Sequence, residues 1–162
     1  MPAIDHLVHA NTQYTATFPG ARPLRPKLGL TVITCMDSRL DLFGALGLDI
    51  GDAHLIRNAG GIPTDDVLRS LALSQRALGT REVVIIHHTD CGMTGFDDTA
   101  FRHELEQESG QAPPWDVPGF TDPFAEARKS VETVRNCGWI PHRDDVRGFV
   151  FDVATAAITP VD

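Results

Sequence analysis

The stretch that decides the fold is Glu82-Val-Val-Ile-Ile-His-His88, a short run of mostly apolar, β-branched residues. A run of this kind predicts a strand of a parallel sheet that is covered on both faces. Leu28–Cys35 has the same character, and Ala53–Arg57 and Arg147–Val153 are further strand candidates. We therefore expect the chain to build its sheet from these segments.

Helical patterns separate the strand candidates. Pro63, followed closely by Asp65, predicts a helix start, because proline fits the first turn and a carboxylate favours the positive end of the helix dipole. An apolar stripe that includes Leu73 and Ala77 continues to Gly79, which predicts the end of that helix. Strands that alternate with helices predict an α/β fold, with a mostly parallel central β-sheet flanked by helices in a single domain. That domain covers residues 1–162, and its other predicted helices cover residues 40–46, 99–108 and 124–136.

The composition argues against several classes of protein. Of the 162 residues, 42% are hydrophobic, which is enough for one buried core. A net charge of −8 without a basic run argues against nucleic-acid binding. The apolar runs are far too short to cross a membrane, and no hydrophobic signal segment follows the acidic Asp5. We therefore expect neither nucleic acid nor membrane as a partner, and we expect a cytoplasmic location.

The chain has three cysteines, Cys35, Cys91 and Cys137. An odd number without a secretion signal does not predict a disulfide framework. A cysteine most often packs as a small buried hydrophobic residue, and Cys137 is predicted to do so. Cys35 and Cys91 differ from it, because each stands close to residues that bind metals or carry charge.

Two motifs stand at the ends of the two strongest strands: Cys35-Met-Asp-Ser-Arg39 and His88-Thr-Asp-Cys91. Ligand sites of open α/β sheets gather beyond the carboxyl ends of the strands. If the two strands are neighbours, both cysteines and His88 converge. Two thiolates and one imidazole form a donor set for Zn²⁺, and three protein ligands leave a fourth position for water or substrate. His87 points to the opposite side of its strand and is not expected to be a ligand.

These motifs, together with Arg57-Asn-Ala-Gly-Gly61 and the following Gly92-Met93, resemble the signature of the β-class carbonic anhydrases in their compact prokaryotic branch. The resemblance implies that Cys35, His88 and Cys91 bind Zn²⁺. It also implies a zinc lyase, a carbonate dehydratase that hydrates CO₂ reversibly to bicarbonate by means of zinc-bound hydroxide.

The resemblance further implies catalytic roles for Asp37 and Arg39. An anion beside the metal accepts a hydrogen bond from the hydroxide and turns its lone pair toward CO₂, and Asp37 is placed for this. Arg39 offers a bidentate partner that keeps Asp37 from becoming the fourth ligand, a position this carboxylate takes in an inactive form of some family members. The alternative is an ordinary ion pair. Gly60, Gly61 and Ile62 are expected to form part of the pocket wall.

The N-terminal arm, residues 1–27, is expected to pack on a partner subunit. Ile4, Leu7 and Val8 form one apolar side of a helix that stops at Phe18-Pro19-Gly20. So weakly amphipathic a helix does not stand alone. The resemblance implies an obligate oligomer, and we expect a homodimer or homotetramer.

Other functions fit the same residues. A hydrolase of COS or CS₂ would use identical metal ligands and a different access to the pocket. A non-catalytic zinc or bicarbonate sensor would keep Asp37 on the metal. A thiol enzyme such as a rhodanese or a phosphatase is less favoured, because its cysteine needs a loop of backbone amides and Asp37 opposes such an anion site. Asp90 is a candidate for orienting a ligand, or for a local turn role.

Overall fold

The computed structural model of the chain describes residues 2–161 and contains a five-stranded sheet. Its strands are β1 (Leu30–Cys35), β2 (Ala53–Asn58), β3 (Glu82–His88), β4 (Val146–Phe151) and β5 (Ile158–Val161). They lie in the order β2-β1-β3-β4-β5, in which β1 to β4 are parallel and β5 is antiparallel to β4. The prediction of a mostly parallel α/β sheet is confirmed.

Helices connect the strands at the places that the sequence predicts. Their ends follow from capping: the Asp97 carboxylate accepts a hydrogen bond from the Ala100 amide at one helix start, and Gly47 and Gly110 end two helices in the left-handed conformation. The helices are α1 (Ala3–Thr15), α2 (Leu42–Leu46), α3 (Asp65–Arg76), α4 (Asp98–Ser109) and α5 (Pro123–Asn136), and a 3-10 turn spans Ala59–Gly61.

The face that α3 turns to the sheet differs from the predicted stripe. Leu71 is fully buried, but Leu73 is 59% exposed and Ala77 is exposed as well. The prediction is wrong for these two residues, because the inward face continues with the polar Ser74 and Gln75. Both are buried without cost to their polar groups, since their side chains are hydrogen-bonded inside the protein.

The sequence does not predict β5, which is short and contains Pro160. This strand pairs with β4 at the edge of the sheet, where a residue without an amide proton is tolerated. The structure also ends β4 at Phe151, before the predicted end at Val153. The end of β4 lies beside the candidate site, since Phe151 pairs with His88 and the Val153 amide donates to the Thr89 hydroxyl.

The core lies on both faces of the sheet. Ile33 and Ile85 pack with α3 and α5 on one face, while Val32 and Ile86 belong to a second cluster on the other. Burial on both sides is what the continuous apolar runs predict. Cys137 is buried in the first cluster, so its predicted packing role is confirmed.

Helix α1 lies outside this core and contains no buried residue. Ile4, Leu7 and Val8 are 75%, 66% and 63% exposed. The predicted helix of the N-terminal arm is therefore present, with its apolar side uncovered in the single chain. Within residues 2–161, every helix is too short or too polar to cross a bilayer.

Candidate metal centre

The candidate site lies at the carboxyl ends of β1 and β3, which are adjacent parallel strands. Cys35 ends β1, His88 ends β3, and Cys91 lies in the turn that follows β3. Their ligand atoms all lie within 4.8 Å of one another, and the two sulfur atoms are 4.0 Å apart. All three side chains are buried. The structure therefore brings together the residues that the two sequence motifs single out.

A backbone hydrogen bond orients the His88 ring. Its Nδ1 atom lies 2.9 Å from the Thr89 carbonyl oxygen, which can only accept, so Nδ1 carries the ring proton and donates it. The Nε2 atom then has a free lone pair. This atom is buried and has no hydrogen-bond partner among residues 2–161. A buried polar atom in this condition is costly unless a ligand or ion satisfies it, so the residues fit a bound metal ion.

The two thiols differ in how readily they ionise. Burial raises the pKa of Cys35, but the adjacent His88 ring and nearby backbone amides outweigh it and bring this pKa to about 7. Burial raises the pKa of Cys91 to about 11, since the opposing effect of the Met93 amide is smaller. For His88, burial lowers the pKa, but the neighbouring Cys35 outweighs it and the pKa is raised. Cys35 therefore supplies a thiolate readily, whereas Cys91 gives up its proton to a bound cation.

The donor set is chemically selective. Thiolate and imidazole ligands favour Zn²⁺ over the oxygen-preferring Mg²⁺ and Ca²⁺. A site with three protein ligands keeps one coordination position open, as catalytic zinc sites do, whereas structural zinc sites are closed by four. The geometry is therefore that of a candidate catalytic metal centre.

Asp37 stands beside the candidate ligands and is paired with Arg39. The Arg39 Nε and Nη2 atoms donate to the two oxygens of the carboxylate at 3.0 and 2.7 Å. These hydrogen bonds hold the pKa of Asp37 well below its usual range and raise the pKa of Arg39. The Asp37 Oδ2 atom lies 3.9 Å from His88 Nε2. The site thus contains an ionised carboxylate that lies close to the candidate ligands and is engaged by a guanidinium.

The turn after β2 packs against Cys35. Gly61 has a φ of +68° and lies so close to β1 that a Cβ atom would sit 2.7 Å from the Cys35 nitrogen, so this position requires glycine. The Asn58 side chain fixes the turn, because it accepts from the Ile62 amide and donates to the Ile62 carbonyl. Gly60, Gly61 and Ile62 are buried beside the site, and their contact with a substrate stays a prediction.

Arg57, near the end of β2, has a role that the sequence does not indicate. Its guanidinium donates to the carbonyl oxygens of Cys35 and Asp37 at 2.9 and 2.6 Å. It thereby fixes the segment that joins a candidate ligand to the carboxylate. The available signal is a charged residue near the end of a short strand, but its target is set by the pairing of β2 with β1.

His87 lies on the other side of β3, as predicted. Its Nε2 atom is 3.0 Å from the Ser130 hydroxyl of α5, and its ring packs edge-on against Phe120. Burial, with the charges of His88 and Lys129 nearby, lowers the pKa of His87 to about 4. His87 is therefore a neutral residue of the core and takes no part in the candidate site.

Known proteins resemble this chain over most of its length. The sequence profile of the carbonic anhydrase family matches residues 30–140. Beta-carbonic anhydrase 1 of Mycobacterium tuberculosis (strain ATCC 25618 / H37Rv) is 42% identical over 161 residues, which are 99% of each chain. The crystal structure of carbonic anhydrase from Streptococcus mutans matches with a TM-score of 0.92 and 40% identity, over 100% of this chain and 99% of that one. Carbon disulfide hydrolase of Acidianus sp. (strain A1-3) is 35% identical over 153 residues, 78% of this chain and 74% of that protein.

Proposed function

The chain belongs to the β-carbonic anhydrase family, and from this premise we propose that it hydrates CO₂ reversibly to bicarbonate and a proton, with Zn²⁺ bound by Cys35, His88 and Cys91. One observation carries the proposal. The buried His88 Nε2 atom lacks a hydrogen-bond partner among residues 2–161 and lies with two thiols whose sulfur atoms are 4.0 Å apart. This donor set fits Zn²⁺ and leaves a position for water or substrate.

Asp37 and Arg39 are the residues of the chain that act on the nucleophile in the proposed reaction. When bound, Zn²⁺ lowers the pKa of a water molecule in its open position and so supplies hydroxide near neutral pH. The Asp37 carboxylate accepts a hydrogen bond from this nucleophile and directs an oxygen lone pair toward CO₂, while Arg39 fixes the carboxylate in place. Because the pKa of Asp37 lies well below its usual range, its Oδ atoms do not retain a proton near neutral pH. The released proton therefore passes on to buffer.

The turn after β2 is the proposed wall of the substrate pocket. Gly60 and Gly61 let the backbone of this turn pack directly against the Cys35 segment of β1. Ile62 adds an apolar, mostly buried surface, which suits a small substrate without charge.

Hydrolysis of CS₂ is a second candidate function. Three carbon disulfide hydrolases are 34–36% identical to this chain. CO₂, COS and CS₂ are linear, uncharged molecules that the same nucleophile attacks at carbon. The metal ligands therefore do not separate the two activities, and access to the pocket decides between them.

A non-catalytic sensor fits the structure less well. Such a protein would keep Asp37 on the metal, but the Asp37 carboxylate is engaged through both oxygens by Arg39. This arrangement leaves the open position to water or substrate.

The same family membership supports an oligomer, in which α1 covers part of a second copy. Its exposed Ile4, Leu7 and Val8 have no partner within residues 2–161. Sedimentation velocity tests this: we expect the wild type and Gln13→Glu, which lies on the opposite face of α1, to sediment as dimers or larger, and Leu7→Asp to sediment as a monomer. The two variants add the same charge to α1. A wild type that stays monomeric at all concentrations contradicts the proposal.

Stopped-flow measurement of CO₂ hydration tests the proposed activity. Zinc-loaded wild type is expected to turn over, whereas Cys35→Ala is expected to be inactive at the same protein concentration. Cys137→Ala is the matched control, because it removes a buried cysteine that lies outside the site. A folded, zinc-containing wild type without turnover contradicts the proposal, and the same samples are then assayed with CS₂ and COS.

A further inference from the structure

Arg39 is held from two sides. Its Nε and Nη2 atoms donate to Asp37, while Nη1 donates to the Asp90 carboxylate and Nη2 to the Asp90 carbonyl oxygen, both at 2.7 Å. A guanidinium has five N–H donors in a planar fork. The two carboxylates therefore engage different donors and do not compete for Arg39. Asp90 holds the edge of the guanidinium that Asp37 leaves free.

The backbone at Asp90 is in a conformation that glycine would also suit. Asp90 has a φ of +52°, in the left-handed region that glycine adopts more easily than any other residue. A glycine would therefore suit this turn, which leads directly into Cys91, at a lower conformational cost. What aspartate adds is the carboxylate, and the partner of that carboxylate is Arg39.

The exposure of Arg39 explains why an anchor is useful. Its side chain is 45% exposed, so water competes for its donors. A long arginine side chain also loses much rotamer freedom when it is fixed in one position. The contacts with Asp90 already hold the guanidinium in one position. The entropy that Arg39 loses when it binds Asp37 is therefore smaller.

We propose that Asp90 is a positioning residue that keeps Asp37 off the metal by anchoring Arg39. The Asp37 Oδ2 atom lies 3.9 Å from His88 Nε2, so a carboxylate released by Arg39 is within reach of an ion that His88 binds. A carboxylate on that ion occupies the position that water and substrate need. The inference rests on the proposed function, because it requires a metal at Cys35, His88 and Cys91.

Anion binding to the cobalt-substituted protein tests this role without turnover. Co²⁺ replaces Zn²⁺ and gives a visible spectrum that changes when thiocyanate occupies the open position. In Asp90→Gly, where the new residue suits the positive φ, thiocyanate is expected to bind about twofold to fivefold more weakly, because the Asp90 carboxylate is 78% exposed and an exposed ion pair contributes little. Asp90→Asn keeps an oxygen acceptor in the same place, so its thiocyanate affinity is expected to lie between those of the wild type and Asp90→Gly.

The decisive control is Asp90→Gly in a protein that lacks the Asp37 carboxylate. In an Asp37→Ala background no carboxylate competes with thiocyanate, so Asp90→Gly is expected to leave the affinity unchanged or slightly higher. Equal weakening in both backgrounds indicates a merely structural effect and overturns the proposal. So does the absence of weakening in the presence of Asp37.

This experiment separates the inference from the proposed activity. A protein that binds Co²⁺ and Zn²⁺ but does not hydrate CO₂ overturns the proposed function, while the role of Asp90 is still decided by thiocyanate. A protein that hydrates CO₂, with the same thiocyanate affinity in wild type and Asp90→Gly, overturns the role of Asp90 alone. A protein that binds neither metal overturns both.

Discussion

His87 and His88 are consecutive residues of β3 in opposite surroundings. Each ring leaves one buried nitrogen without a hydrogen-bond partner among residues 2–161, Nδ1 in His87 and Nε2 in His88. The Nε2 atom of His87 meets the Ser130 hydroxyl, whereas the Nε2 atom of His88 faces two thiols. Burial lowers the pKa of His87 to about 4, while for His88 the effect of burial is outweighed by Cys35 and the pKa is raised. The element packed on each face, and not the residue type, decides what each histidine does.

The comparison predicts where a substitution acts. On the His87 side, where α5 closes the core, a change alters the free energy of unfolding. On the His88 side, a change alters metal affinity and turnover. Substitutions on each side test this division.

The largest effect is expected from His88→Ala. It removes a proposed ligand, and we expect the affinity for Zn²⁺ to fall by more than about 100-fold, beyond the loss typical of residues that only support a ligand. His87→Gln is the matched control and is expected to keep its zinc affinity while it lowers the free energy of unfolding. Competition with a chromophoric chelator measures both variants. Equal zinc affinities for His88→Ala and His87→Gln would contradict the different roles of the two histidines.

Gly61→Ala is expected to have the next largest effect, a loss of about 3 kcal/mol in the free energy of unfolding. The added Cβ would meet the β1 backbone at 2.7 Å and would require an unfavourable positive φ. Gly92→Ala is the control near the same site, because no atom lies within 4 Å of its added Cβ. Denaturant titration of both variants measures the difference. Similar losses would show that the close contact between the turn after β2 and β1 is unimportant.

The pH dependence of the free energy of unfolding tests the burial of His87 separately. Unfolded histidine binds a proton below about pH 6.5, whereas folded His87 does so only near pH 4. The unfolded state therefore binds more protons between these values, and the metal-free protein loses about 2–3 kcal/mol through His87 as the pH falls from about 6.5 to 4. His87→Gln is expected to lack this part of the loss. Denaturation of both proteins across this range tests it, and equal slopes would contradict it.

The smallest effect is the release of protons when Zn²⁺ binds. Cys91, with a pKa of about 11, must lose a proton, and Cys35, with a pKa of about 7, and His88, whose pKa is raised, are each partly protonated at neutral pH. We expect about two protons per zinc, and an affinity that rises with pH. Calorimetry in buffers of different ionisation enthalpy counts them. His87→Gln should release the same number, because His87 is neutral in both states, and zinc binding without proton release would contradict the expected ligands.

The sequence predicts which side chains come together, because the candidate site is local to strand ends. Two apolar runs end in Cys35 and His88, and a parallel sheet must bring the ends of adjacent strands together. Asp37 and Cys91 follow within a few residues, so their positions are tied to those strands. This is why the proximity of Cys35, His88, Cys91 and Asp37 can be inferred from the sequence.

Features that depend on contacts between distant segments could not be predicted. Ser74 is buried in place of Leu73 because hydroxyl groups from β1 and the following loop meet it. Arg57 reaches the Cys35 carbonyl from β2 to the adjacent β1, and Arg39 reaches Asp90 from the segment after β1 to the turn after β3. Propensity and periodicity describe single segments, and they do not indicate which donor will meet which acceptor after folding.

Anomalous diffraction from crystals of the zinc-loaded protein, measured above and below the zinc absorption edge, tests the central claim most directly. We predict a peak at bonding distance from Cys35 Sγ, His88 Nε2 and Cys91 Sγ, about 2.3 Å from sulfur and about 2.0 Å from nitrogen. We also predict that His87 remains on Ser130. A zinc peak elsewhere, or bound zinc without a peak between these three residues, would contradict the assignment of the metal centre.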